Sequence, residues 1–266
     1  MTFSIVAWDA KTQMTGVAVA TKHLAVGALV PHAKAGVGAI ATQGQTNPIL
    51  GICGLQLLEQ RLVNPNFSDR ISCADIMQIL LKDDRDLHQR QLHLVDCYGQ
   101  TAAWTGDNCV GWAGHLTFTN FSVAGNMLAG EQVLIAMADA YQDNAELDFC
   151  ERLLQAMEAG EAAGGDKRGR QSAALYVVHQ DSYPHLDLRV DHHDNPLIEL
   201  RYLFTESRKD YYQSFRQSMP PGCDRTYSTY SLIANYLIDK VPQQRTAPVR
   251  KEEIEMPIAA SSKIQV

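Results

Sequence analysis

Hydrophobic positions begin almost at once. Residues Thr2–Trp8 read Thr-Phe-Ser-Ile-Val-Ala-Trp and residues 16–21 read Gly-Val-Ala-Val-Ala-Thr, with a polar stretch at 9–13 between them. Two β-rich runs around a short polar loop predict a hairpin. The run 37–42 is apolar nearly throughout, as expected of a strand covered on both faces. Pro48 then opens an apolar segment at helical spacing, residues 49–58, with Thr46 or Asn47 placed as its N-cap. Ser72 followed three residues later by Asp75 has the form of a capping box and predicts a second helix to about residue 81.

Further on, residues 91–97 and 100–104 meet at Tyr98-Gly99 and predict another hairpin. A short strand at 121–124 ends at Gly125-Asn126, and helices follow at 131–141 and about 147–159. The loop 160–170 leads into a strand, Ser172–Val178, which pairs with Leu186–Val190. Pro196 opens a helix through Phe204. Helices in pairs between groups of strands suit a layered α+β design, two stacked sheets with helices outside. Periodicity alone does not separate this from other α+β folds. After Thr205 the composition changes. Lys209-Asp210-Tyr211-Tyr212 and residues 227–240 are predicted helical, and 241–266, rich in Pro and charge, extended or mobile. The expected organisation is a domain over 1–204 and a C-terminal helical and extended tail over 205–266.

Composition narrows the function classes. With 45% hydrophobic and 20% charged residues in 266, the chain can fill a sizeable core. A net charge of −7 argues against nucleic-acid binding, which needs a basic footprint. The longest apolar region, 17–41, is broken by Lys22, His23, Pro31, His32 and Lys34, so no membrane span or membrane partner is expected. No basic segment precedes an apolar core at the start, which predicts no signal peptide and a cytoplasmic protein. Six cysteines without a C-x-x-C pair then read as reduced thiols.

Position 2 carries the first candidate chemistry. A threonine that becomes N-terminal when Met1 is removed holds two reactive groups on one residue. Its hydroxyl is a weak nucleophile until a base takes the proton, and its own α-amine, with a pKa near ~7.7–8, can be that base. The bland alternative is that Thr2 is simply a good strand former where translation starts.

Several motifs in order point the same way. They are residues 2–7, 25–31 and 35–43, then Gly125-Asn126-Met127-Leu128-Ala129-Gly130 and the run 164–175 beginning Gly164-Gly165-Asp166-Lys167-Arg168-Gly169-Arg170. Over residues 1–202 the chain resembles an uncharacterised bacterial family, a domain of unknown function assigned to the N-terminal nucleophile (Ntn) hydrolases. The resemblance implies a four-layer αββα sandwich and Thr2 as nucleophile. It supplies no substrate.

Other constellations have two readings each. The loop Gln43-Gly44-Gln45-Thr46-Asn47 runs into a helix N-terminus, where backbone N–H groups can form an oxyanion hole and Gly44 permits close approach. In Ntn hydrolases generally, a backbone N–H at this place has that role; otherwise it is an ordinary strand–helix turn. Lys22 is placed either as a cation lowering the nucleophile's pKa or as a solvated strand end. Asn126 would donate to an oxyanion, orient the α-amine, or serve as a turn residue. Asp166 and Ser172 could orient the Thr2 amine, and Arg168 and Arg170 could hold an anionic substrate group or form structural ion pairs. The loop 160–172 is not a phosphate-binding loop, since a helix precedes it and no Ser or Thr follows Lys167. Asp191-His192-His193-Asp194 reads as a charged turn, because neighbours on a strand face opposite ways.

The expected function is a cofactor-free, metal-free amidohydrolase. It cleaves a C–N bond in a small molecule or short peptide with Thr2, Lys22, Gly44, Asn126 and Asp166 at its centre. Gln43, Asn47, Arg168, Arg170 and Ser172 are placed around the substrate, and a homo-oligomer is expected. A non-catalytic binding or scaffold protein on the same fold is the alternative.

Overall fold

In the computed structural model the described residues are 2–64, 71–220 and 222. The predicted segments 227–240 and 241–266 lie outside them.

Among the described residues ten strands form two antiparallel sheets. β1 (Thr2–Trp8) and β2 (Thr15–Thr21) pair as the predicted hairpin, Thr2 opposite Thr21 and Trp8 opposite Thr15. With β7 (Trp112–Phe118), β8 (Phe121–Leu128), β9 (Ser172–Val178) and β10 (Leu186–Val190) they make a six-stranded sheet in the order β10-β9-β2-β1-β8-β7. The second sheet has the order β3-β4-β5-β6, from β3 (Pro31–Lys34), β4 (Gly38–Gly44), β5 (Arg90–Asp96) and β6 (Thr101–Thr105).

Three strands depart from the sequence reading, one of them β7, which is not among the predicted elements. β3 is only four residues long, partly exposed, and opens on a proline at the sheet edge, where a missing N–H removes no ladder bond. β8 does not stop at Gly125-Asn126. It continues to Leu128 because Thr2 lies opposite Asn126 and Phe3 opposite Gly125, so β1 supplies a partner where local sequence suggests a turn. The left-handed residue there is Met127, at φ 50°.

The first two helices start where the predicted caps stand. α1 (Pro48–Val63) has Asn47 as N-cap, whose side chain accepts the Ile49 N–H. α2 (Cys73–Leu81) has the complete Ser72/Asp75 capping box. α3 (Gln132–Asp143), α4 (Phe149–Ala162), α5 (Pro196–Ser207) and α6 (Asp210–Gln217) follow. The last of these lays Tyr212 against the same core as α5. All described residues belong to one unit, Met1–Asp224. None of the described helices is long and apolar enough to cross a membrane.

Three apolar clusters follow from strand alternation. Phe3, Ile5, Ala18 and Leu175 point to one face of the six-stranded sheet and pack with Met137, Leu153 and Leu200 of the helices. Ile40, Leu92 and Leu94 of the smaller sheet pack with Leu50, Leu58, Ile76 and Leu80 of α1 and α2. The opposite faces supply the third, with Val6, Val17, Val19, Ala39, Ala41, Val95 and Ala174. Alanines at several of these positions let the two sheets approach closely, and strands buried on both faces read as continuous apolar runs.

Candidate active site

The period-2 alternation of β1 decides where Thr2 points. Phe3 and Ile5 enter the helix-covered core, so Thr2, Ser4 and Val6 face the other sheet. Pairing then builds a row across four strands, Asn126 opposite Thr2, Thr2 opposite Thr21, and Thr21 opposite Ser172. Thr2 Oγ1 lies 3.2 Å from Thr21 Oγ1. Both line a cleft of about 320 Å³ together with Gly44, Thr46, Leu29 and Arg168.

Gly44 reaches this cleft for a backbone reason. It stands opposite Arg90 in the β4–β5 ladder, and the next N–H, of Gln45, donates to Gln89 O at 2.9 Å. In an antiparallel ladder that makes Gly44 and Arg90 a non-bonded pair. The Gly44 N–H therefore points away from β5, to the side where the Thr42 N–H donates to Val30 O at 3.2 Å. Val30 is itself part of the cleft lining. Gly44 has φ +77°, and a Cβ there would meet Gln89 O at 2.7 Å, so glycine is required. Of the other N–H groups in this loop, that of Asn47 donates to Thr42 Oγ1 at 3.4 Å.

Beneath Thr2 lies a buried polar network with a fixed direction. Gln91 Nε2 approaches the carbonyl oxygens of Gly125 (2.8 Å) and Gly114 (2.9 Å) and Thr105 Oγ1 (2.9 Å). Backbone carbonyls only accept, so the Gln91 amide orientation is set. Its Oε1 must then accept, from Asn126 Nδ2 and from Gln43 Nε2, each at 2.9 Å. Gln43 Oε1 accepts the Ser4 hydroxyl at 2.7 Å. Ser4 has one proton to give, so at 2.8 Å it accepts from His93 Nε2, and His93 Nδ1 accepts the Ser122 hydroxyl at 3.2 Å. His93 is thus the neutral Nε2–H tautomer. Burial, with a smaller contribution from His115, pushes its pKa down to about 3. A histidine held neutral and fully enclosed positions its neighbours and exchanges no proton near neutral pH.

The remaining predicted residues are distributed as follows. Successive strand residues face opposite ways, so Lys22, next to Thr21, turns to the other side of the sheet. There it lines a second cleft, of about 430 Å³, with Phe3, Asp166 and Arg170. The Lys22 N–H donates to Asp166 Oδ2 at 2.9 Å, and its Nζ donates to Arg170 O at 2.9 Å. Asp166 also accepts the Arg168 N–H at 2.7 Å and Arg168 Nη2 at 3.2 Å. Arg170 pairs with Glu161 at 2.9 Å and donates to Asn195 Oδ1 at 3.0 Å. Asn47 caps α1 and donates to Asp84 Oδ2 at 3.2 Å. The Ser172 hydroxyl donates to His23 O at 2.5 Å and accepts the Val26 N–H at 3.1 Å, fastening the turn that follows β2. Gln43 lies wholly inside, in the network.

The structure therefore brings Thr2, Gly44 and Arg168 to one cleft, with Asn126 beside Thr2. Lys22, Asp166 and Arg170 gather in the other. Thr21, Ser4, Gln91 and His93 escape a sequence reading of the site, although the hairpin register of β1 and β2 predicts Thr21 beside Thr2. Asp191 to Asp194 form an exposed bend. Among the described residues no group of three or more His, Cys, Asp or Glu side chains could hold a metal ion.

Comparison with known proteins decides the relationship. A family of unknown function (DUF1028) matches residues 2–200. The chain belongs to this family. A solved structure described with the same DUF1028 family, protein SPO2555 from Silicibacter pomeroyi, is 34% identical. It covers 83% of this chain and 92% of its own, with a TM-score of 0.73. Two others are Anbu (ancestral beta-subunit) from Yersinia bercovieri, 14% identical, and Anbu from Hyphomicrobium sp. strain MC1, 11% identical. Each covers 82% of this chain and 98% of its own at a TM-score of 0.34, which is too low to carry an argument. No curated protein matches. For this DUF1028 chain, then, the fold and the site geometry carry the functional reading.

Proposed function

We propose that the chain is a hydrolase cleaving the C–N bond of an amide in a small molecule or short peptide, with Thr2 as an N-terminal nucleophile. The proposed architecture is a four-layer αββα sandwich of the Ntn type, and the helix-packed outer clusters of both sheets support it. One observation carries the reading of the site. Thr2 stands at the start of β1 on the inner face of its sheet, its hydroxyl beside Thr21, in a cleft that Gly44 also lines.

The proposed reaction begins with removal of Met1. The Thr2 α-amine takes the Oγ proton as Oγ attacks the substrate carbonyl carbon. The oxyanion that forms is met by the Gly44 N–H, with Asn126 Nδ2 as a second donor, its amide already oriented by Gln91. The ammonium returns the proton to the departing nitrogen, the C–N bond breaks, and an acyl ester remains on Thr2. Water, deprotonated by the same amine, attacks that ester and releases the acid. Lys22, directed to Arg170 O in the second cleft, has no part in these steps.

The test has two stages. Intact mass and N-terminal sequencing of untagged protein should give a chain that begins at Thr2 with a free amine. An amide library screened on that protein should give turnover that falls by about a thousandfold or more in Thr2→Ala, the order expected for removal of a nucleophile. Full turnover in Thr2→Ala would sink the mechanism. A binding protein on this fold would leave the library untouched.

A further inference from the structure

We infer that the outer face of α2 is a two-fold interface between two copies of this chain, each copy laying its α2 antiparallel in the groove between α2 and Trp104 of the other. None of the groove's residues lines the Thr2 cleft, so the interface stands apart from the chemistry proposed there.

Two stripes run along α2 at helical spacing. Cys73, Ile76, Met77 and Leu80 turn inward and are buried against the smaller sheet and α1. Asp75, Gln78, Ile79 and Lys82 stand on the opposite side at the same spacing, and all four are exposed. Lys82 belongs to this stripe although it follows the last helical residue, because its backbone is still helical, at φ −52° and ψ −42°. A solvated helix face is ordinarily polar throughout. This one carries Ile79, 48% exposed, near its centre, and beside it runs a groove of about 710 Å³ walled by Ile71, Leu87 and Trp104. The Trp104 indole N–H donates to Leu87 O at 2.9 Å, which makes the ring a fixed wall. An exposed isoleucine beside a firm apolar groove gains by being covered.

The charges on the stripe point to what covers it. One carboxylate lies a turn before Ile79 and one ammonium about a turn after it. Asp75 uses only Oδ2 for the Ser72 cap, and among the described residues neither Asp75 nor Lys82 has an ion-pair partner. A two-fold axis perpendicular to α2, passing between Gln78 and Ile79, runs the second α2 antiparallel to the first. Asp75 then stands opposite Lys82 of the partner subunit, the same pairing recurs across the axis, and both Ile79 side chains meet beside it. Parallel helices would instead bring Asp75 against Asp75. The stripe is therefore complementary to itself in one arrangement and repulsive in the other, which fits a second copy of the chain. Burial of Ile79 and the groove walls supplies most of the stabilisation, and the charges fix the orientation, since exposed ion pairs add little. The neighbouring groove between α1 and α2, of about 720 Å³, shares Ile79 but offers no such pairing, because its charged side chain, Glu59, is taken by Lys34.

The test is sedimentation velocity on the full-length protein. The parent should be a dimer, or an even-numbered assembly built from dimers. Ile79→Lys should halve that assembly while far-UV circular dichroism stays unchanged, since the side chain lies on the surface of the outer helical layer. Lys82→Glu, which sets carboxylates face to face at both ends of the interface, should raise the dissociation constant about tenfold or more, and Lys82→Arg should leave it within about threefold. Zero-length carbodiimide coupling in a mixture of unlabelled and isotopically labelled protein should give mixed-isotope peptides that join Asp75 to Lys82. A monomeric parent, an assembly that Ile79→Lys leaves intact, or Asp75–Lys82 links that are absent or confined to one chain would overturn the inference. Links from Lys82 to residues beyond 224 of its own chain would give the groove to the C-terminal segment and overturn it as well.

Discussion

Val6 and Ser4 are two residues apart on β1, face the same way, and enter two different interiors. Around Val6 the space between the sheets is filled by Val17, Val19, Val95 and Ala174, groups that need only shape. Around Ser4 it holds Gln43, Gln91, His93 and Ser122, all fully enclosed and bonded to one another. Both patches exclude water. The apolar one stabilises by burial alone and tolerates rearrangement. The polar one is stable only while every partner is in place, since a buried group left without its hydrogen bond costs about 1–3 kcal/mol. What the second patch provides is direction. Two backbone carbonyls set Gln91, Gln91 sets Asn126, and Asn126 lies opposite Thr2.

Gln91→Leu breaks that chain at its centre and should have the largest effect. It strips a partner from Gln43, Asn126 and the Gly125 carbonyl together, so urea denaturation should show a loss of about 3 kcal/mol or more. Acylation of Thr2 should slow about tenfold or more in the fraction that remains folded. A variant that is destabilised yet acylates Thr2 at the normal rate would show that the network holds the fold and not the site.

Val6→Ala probes the apolar patch and should do the opposite. It should cost about 2 kcal/mol in denaturation and leave the acylation rate within about twofold, because only packing is lost. Slowed acylation there would erase the distinction between the patches.

His93 sharpens the comparison through pH. Its folded pKa, about 3, lies below the ordinary value of 6.5, so between those values the unfolded chain binds a proton that the folded chain refuses. The resulting stability is present above pH 6.5 and declines as the pH falls toward 3, with a slope of up to about 1.4 kcal/mol per pH unit for one proton. Urea midpoints across that range should fall less steeply in His93→Gln than in the parent. Equal slopes would mean that another group carries the acid response.

Much of this architecture can be read from local sequence. The β1–β2 hairpin, the Asn47 cap of α1 and the Ser72/Asp75 capping box are determined by residues a few positions apart, and all stand where the pattern places them. β7 shows no clean alternation, since its residues are nearly all only partly buried. The continuation of β8 through Asn126 depends on β1, more than a hundred residues earlier in the chain. The site shows the same division. Thr2 is visible by its position and Gly44 by its loop, but Gln91 and His93 look like ordinary polar residues in a strand until two sheets are stacked. Arg168 and Arg170 are equivalent in sequence, and only the loop that carries them sends one to each cleft.

The central claim is that the Thr2 hydroxyl is an activated nucleophile, and the most direct measurement is covalent. Untagged protein treated with a β-lactone, which acylates activated hydroxyls, should gain the mass of one acyl group. Peptide mapping should place that group on a chain beginning at Thr2, and Thr2→Ala should gain none. Unmodified protein, quantitative retention of Met1, or an adduct that persists in Thr2→Ala would contradict the account.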